Sequence, residues 1–267
     1  MHILLTDETN IRPDGNVTFF VYGGILFPIE QLLVLHNGIN RIRIENGYTT
    51  TDMLKFDTRS RPEYVSVDEA TTAKNSVIKL CLTLGVKFIV HIIHHGIIRN
   101  QDPDIQLKQA ADYVIGRYNQ YLNDINDYGI CVVDRFSKDT NYSYSVTKFT
   151  KGLRLHNGYL VNLDRIIHYS STCIGASHAN SAVDIVLGSL RYCINNPKNE
   201  DVASIMAHNV IRMMWAEKRD GKLYPTNKGF IIRPNMDKVR QSYGAFLDDY
   251  NELIANLKKL FRLATQK

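Results

Sequence analysis

The sequence predicts an α/β fold, a mixed β-sheet flanked by helices. Two apolar runs near the start, residues 3–6 and 17–28, are close enough to pair as an antiparallel hairpin. Further apolar runs at 86–93, 129–136 and 165–172 are separated by stretches of helical spacing, which favours parallel strands joined by right-handed crossovers. After them the periodicity is helical only.

Each element follows from its local composition. ILLT at 3–6 is the first strand, and the turn-rich NIRPDGN leads into VTFFVYGGILFP, a β-branched and aromatic second strand. Leu32, Leu33, Leu35, Ile39 and Ile42 then recur near helical spacing over 29–44, and Asn46-Gly47 ends that helix. Residues 48–62 are polar and irregular, and a helix over 66–84 starts at Ser66 or Asp68 as N-cap. VKFIVHII is a strand. Residues 104–125 form a helix with Leu107, Ala111, Val114, Ile115 and Tyr118 on one face. GICVVDRF is a strand that, like the first, meets an Asp after its apolar run, whereas 141–153 has no clear assignment. RIIHYSST reads as the last strand, followed by helices over 181–194, 202–217 and 236–263, with KRDGKLYPTNKG as a surface loop.

The 267 residues, 44% hydrophobic and 22% charged, suit one large domain or one domain with a helical appendage. A net charge of +5 permits an anionic partner without requiring one. Cys81, Cys131, Cys173 and Cys193 form no C-x-x-C pair and lie in apolar runs, where buried reduced thiols are expected. No run reaches the roughly 18 apolar residues of a membrane span. Asp7 arrives too early for a targeting segment. The expectation is a cytoplasmic protein with no membrane association.

Three acids stand beside residues that read as core. Asp7 ends the first strand, Asp134 ends the run GICVV, and Asp184 lies in the first turn of an otherwise apolar helix. Singly, such acids are ordinary loop or helix-start residues. Together they converge if the two strands are neighbours and the helix crosses their C-terminal ends. Converging anions repel unless one is protonated or a cation neutralises them. Oxygen-only ligands suit Mg²⁺ or Mn²⁺, and such a cluster can hold two metals about 4 Å apart for phosphodiester cleavage. Glu8 alternates to the other side of the strand and ranks below Asp7 as a ligand.

These residues resemble a family of bacterial and phage proteins whose members open with a strand ending in Asp-Glu-Ser. They continue with a loop Lys, a later strand ending in Asp, and a late helix opening with Gln-x-Ala-Asp. The matching segments are TDET (Asp7, Glu8, Thr9), LKFD (Lys55), CVVDRF (Asp134) and SAVD (Asp184, with small Gly188 one turn on). Thr9 keeps the hydroxyl of the usual Ser, while Ser181 and Val183 depart from Gln and Ala. The resemblance spans residues 3–190. It implies a ribonuclease H-like (retroviral-integrase-like) fold over 1–195, with 196–267 as a helical extension packed on it. It also implies metal-dependent nuclease chemistry by Asp7, Asp134 and Asp184, with Lys55 holding a scissile phosphate.

Other residues read more plainly. His91, His94 and His95 lack a zinc-like partner spacing, and His178 is a loop histidine near the last acid. Gly23-Gly24 inside a strand marks a bulge or a close packing contact. Lys218, Arg219 and Lys222, with aromatics nearby, are candidates for contact with nucleic acid. The expected function is a metal-dependent nuclease, a hydrolase acting on DNA or RNA, with a homo-oligomer left open. The alternatives are a non-catalytic nucleic-acid or protein-binding module, and a small-molecule phosphoesterase.

Overall fold

Strand β1 (His2–Thr9) pairs antiparallel with β2 (Phe19–Pro28), from His2↔Pro28 to Thr9↔Val21, as the two opening runs predict. A computed structural model of the chain describes residues 1–9, 11, 17–136, 141–154, 160–196, 208–219, 222–225 and 228–265. On one side β2 pairs antiparallel with β3 (Lys87–His94). On the other, β1 pairs parallel with β4 (Gly129–Asp134), and β4 pairs parallel with β7 (Ile166–Thr172). Two short strands, β5 (Leu153–Arg154) and β6 (Leu160–Val161), form a small separate ladder.

Helices cover both faces. Helices α1 (Leu32–Glu45), α2 (Val67–Thr83) and α6 (His178–Asn195) pack on the face that carries Leu5, Val21 and Val90. Helix α4 (Pro103–Asp124) packs on the opposite face, against Leu4, Phe20, Tyr22 and Cys131. The first cap expected for α2 is present: Ser66 accepts from the Glu69 N–H, and Glu69 returns a bond to the Ser66 N–H, a capping box. The segment 141–153, unassigned from sequence, contains α5 (Asn141–Lys151). Tertiary bonds hold it: Tyr144 Oη and Lys148 Nζ both reach Asp112, each at 2.7 Å. A four-residue helix, α3 (His95–Ile98), follows β3.

The second half of the chain departs from its reading. The strand at 166–172 is not the last, because β10 (Phe230–Arg233) adds parallel to β3 and completes a six-stranded sheet of order β10-β3-β2-β1-β4-β7. The segment 196–267, expected to be a helical extension, thus also supplies an edge strand. Between Gly229 and Pro234 the run is too short to show alternation. The expected surface loop contains a hairpin, β8 (Glu217–Arg219) with β9 (Lys222–Tyr224). The expected helix over 202–217 falls partly outside the described residues. The closing helix is two, α7 (Met236–Ser242) and α8 (Leu247–Thr265), broken at Gly244–Phe246. Cys173 is exposed, unlike the other three cysteines.

Helix α6 lies close on the sheet. A Cβ at Gly23 would sit 2.7 Å from the Ile89 carbonyl oxygen and 2.9 Å from Leu187 Cδ1 of α6, so the glycine is a close packing contact. At its far end Asn195 Oδ1 accepts the N–H groups of Thr18 and Phe19 at 3.0 and 3.1 Å, fixing α6 to the start of β2. Gly23→Ala should therefore destabilise by about 1–3 kcal/mol through overpacking. Gly244→Ala, with nothing within 4 Å of the added carbon, should change stability by less than about 0.5 kcal/mol. Urea denaturation midpoints of the two variants check this.

Candidate functional site

Parallel pairing brings the ends of β1 and β4 together. Their paired register runs from His2↔Gly129 to Leu5↔Val132, and two residues further on Asp7 stands level with Asp134. In place of the next rung, the Thr6 hydroxyl accepts the Asp134 N–H at 3.2 Å and bonds the Tyr22 hydroxyl at 2.7 Å. β1 then outruns β4, pairing only with β2 at Glu8↔Tyr22 and Thr9↔Val21. Asp7, Glu8 and Asp134 each offer a carboxylate oxygen within 4.8 Å of the others. Glu8, ranked below Asp7 on strand alternation, is nonetheless brought within reach of both, at a point where β1 has outrun β4 and keeps only β2 as a neighbour.

Charge in this group is unbalanced. Burial, then the neighbouring acids Asp134, Glu8 and Asp184, push the Asp7 carboxyl up to about 9. Burial and Asp134 push Glu8 up to about 7. Burial also raises Asp134, while the Arg135 backbone N–H and then hydrogen bonds with Glu8 and Asp7 pull it back down. Glu8 and Asp7 both reach Asp134 by hydrogen bonds of their side chains. Among the described residues, no other three His, Cys, Asp or Glu side chains come close enough to share a metal ion. An all-oxygen, half-buried set with surplus negative charge fits a hard divalent cation.

Asp184 stands next to this group rather than in it. Its Oδ2 accepts the Phe56 N–H at 2.6 Å, and burial raises it while Lys55 and Arg191 lower it. The loop that carries Lys55 thus brings its charge to bear on Asp184. Gly188, one turn along α6, makes this possible: a Cβ there would come 2.3 Å from the Phe56 ring. Glu8 and Asp184 both line an open cleft of ≈ 380 Å³, together with Phe56, Gly188 and Arg191.

Several supporting residues escaped the sequence reading. Lys74, buried on the core face of α2, bonds the Phe56 carbonyl at 3.1 Å and the Thr58 hydroxyl at 2.7 Å, with Nζ 5.3 Å from the Phe56 ring. Its signal was a lysine among Ala70, Ala73, Val77 and Ile78, an apolar stripe that has no place for a charge without a partner. Buried Arg43 bonds the carbonyls of Thr49 and Asp52 and holds the start of the same loop. His178 lies within 3.0–3.1 Å of Arg43 Nη1 and beside the His36 ring, so it belongs to that anchor. His91 stacks on Tyr113 at 4.8 Å, and burial lowers it to about 3, whereas His94 bonds Asp249. The Thr9 hydroxyl bonds the Val21 carbonyl at 3.0 Å. Lys218, Arg219 and Lys222 lie on the β8–β9 hairpin, and their side chains are outside the described residues.

No family model matches the sequence, and no curated protein matches it.

Two outcomes follow from this geometry. A carboxyl whose folded pKa lies above its ordinary value keeps its proton after the unfolded chain has lost it, so stability falls as pH rises between the two values. For Asp7 (3.8 to about 9) and Glu8 (4.5 to about 7), metal-free protein should be most stable near pH 4 and lose stability up to pH 9. Asp7→Asn should flatten that slope in thermal melts taken in EDTA across the range. Gly188→Ala would gain up to about 1 kcal/mol of helix propensity but must displace Phe56. Its expected signature is a freed Lys55 segment, read as faster amide exchange at Phe56.

Proposed function

We propose that this chain is a metal-dependent phosphodiester hydrolase, a nuclease, on a ribonuclease H-like fold. The observation that carries the reading is the gathering of Asp7, Glu8 and Asp134 within 4.8 Å at the C-terminal edge of two parallel strands. A mixed sheet with helices on both faces is the architecture that the resemblance implies. Among the described residues no helix is long and apolar enough to cross a membrane, which agrees with a substrate met in water.

Asp7, Glu8 and Asp134 would hold Mg²⁺ or Mn²⁺. The bound ion supplies Lewis acidity and charge neutralisation for hydrolysis of the phosphodiester. The chain's own groups set the rest. Lys55 acts on Asp184 and would offer a cation to the scissile phosphate from beside the cleft, while Arg191, which also acts on Asp184, lines the cleft itself. Asp184 holds the Lys55–Phe56 backbone against α6 and so positions that lysine. The same bond favours a second reading, a non-catalytic nucleic-acid or protein-binding module, because it gives Asp184 a structural use.

Melting curves in EDTA and in Mn²⁺ separate the two. An ion at a hundredfold excess over its dissociation constant stabilises by about 2.7 kcal/mol. Wild type should gain a shift of that order, and Asp134→Asn should gain none. Wild type should also cleave a labelled oligonucleotide in Mn²⁺, with cleavage lost in Asp134→Asn and sharply reduced in Lys55→Ala. A Mn²⁺ shift without cleavage favours the binding module. Neither shift nor cleavage sinks the metal site itself.

A further inference from the structure

A second cleft, ≈ 550 Å³, lies at the outer edge of the sheet, between β10, α8 and the Arg117 position of α4. Its walls are apolar and partly aromatic, with Phe230, Met236, Leu257 and Phe261. Its charged lining is cationic: Arg117, Arg233, Lys258 and Arg262 line it, and among the described residues no acid does. Two of these cations are held in place by neutral groups. Arg117 Nη1 donates to Gln120 Oε1 at 2.6 Å, and the Arg233 guanidinium sits 5.0 Å from the Tyr113 ring centroid. Neither pairs with a carboxylate among the described residues. Arg117 is lowered first by burial and then by Arg233, so the two cations repel each other.

Two half-buried guanidinium groups that line one cleft and pair with no carboxylate among the described residues repel each other, and a bound anion would relieve that repulsion. Guanidinium forks match phosphate in a bidentate way. The walls add a face for a flat apolar body. A fatty acid would use the walls but bring one negative charge to several cations. A phosphate monoester brings about −1.5 to −2 at neutral pH.

We propose that this cleft binds a mononucleotide, its base against the apolar walls and its phosphate between Arg117 and Arg233. The ligand is either a free nucleotide or the 5′-phosphorylated end of a strand. The site is distinct from the acidic edge and stands or falls apart from the nuclease reading.

The test is calorimetric titration of the full chain in EDTA with AMP, adenosine, inorganic phosphate and decanoate. AMP should bind at least tenfold more tightly than the other three. Arg117→Gln and Arg233→Gln should each weaken AMP by roughly tenfold or more, the loss of a charge-assisted hydrogen bond. Lys258→Gln, on the exposed rim, should weaken it less and keeps the test alive if an arginine variant fails to fold. Competition by a 5′-phosphorylated decanucleotide, and none by its unphosphorylated form, identifies a strand end; no competition by either identifies the free nucleotide. No AMP binding at about 1 mM, binding unchanged in Arg117→Gln, or tighter binding of decanoate overturns the proposal.

Discussion

The seat of α6 against β1 and β2 is the contact on which the acidic edge depends. At one point of contact Gly23 lets Leu187 approach the sheet, and on the helix Gly188 lets the Phe56 ring lie against the backbone. With either position filled, the added carbon would lie under 3.0 Å from its neighbours, so α6, the sheet or the 55–56 segment would have to shift. Asp184, four residues before Gly188, would then lose the Phe56 N–H that engages its carboxylate. Close packing therefore governs the electrostatics here, because dense interiors transmit displacements instead of absorbing them.

The fold tolerates an unusual concentration of acid at one edge by surrounding it with cations that do not neutralise it directly. Lys55 and Arg191 act on Asp184, and Lys74 is spent on the backbone carbonyl of Phe56 and the hydroxyl of Thr58. None of the three is among the groups that shift Asp7 or Glu8, whose largest charged influences are other acids. Burial and mutual repulsion raise Asp7 and Glu8, so both hold a proton to higher pH than ordinary acids, which lessens the repulsion at this edge.

Much of the first two-thirds of the chain was legible because its signals are strong and local. β1 to β4 are dense apolar runs, and Asp7 and Asp134 interrupt the first and last of them sharply. What was hidden depends on tertiary partners. β10 is four residues long and acquires its identity only from pairing with β3. α5, rich in Tyr, Ser and Thr, is anchored by Asp112 of α4. Glu8 was ranked below Asp7 on strand alternation, and its approach to Asp7 and Asp134 depends on how β1 runs past the end of β4, which local pattern does not show. The break before α8 had a visible cause in Gly244, which periodicity alone reads through.

The placement of β10 has a consequence for synthesis. β3, with the sequence KFIVHIIH, is complete before residue 95, yet the strand that covers its outer edge is not made until residue 233. At the roughly 5–20 residues per second of translation, that interval lasts on the order of ten seconds. Throughout it, a nearly continuous apolar strand presents unpaired backbone groups to whatever is nearby. Nascent chains emerging side by side on one messenger would meet through that edge, so the late arrival of β10 sets how long β3 stays open to wrong pairing.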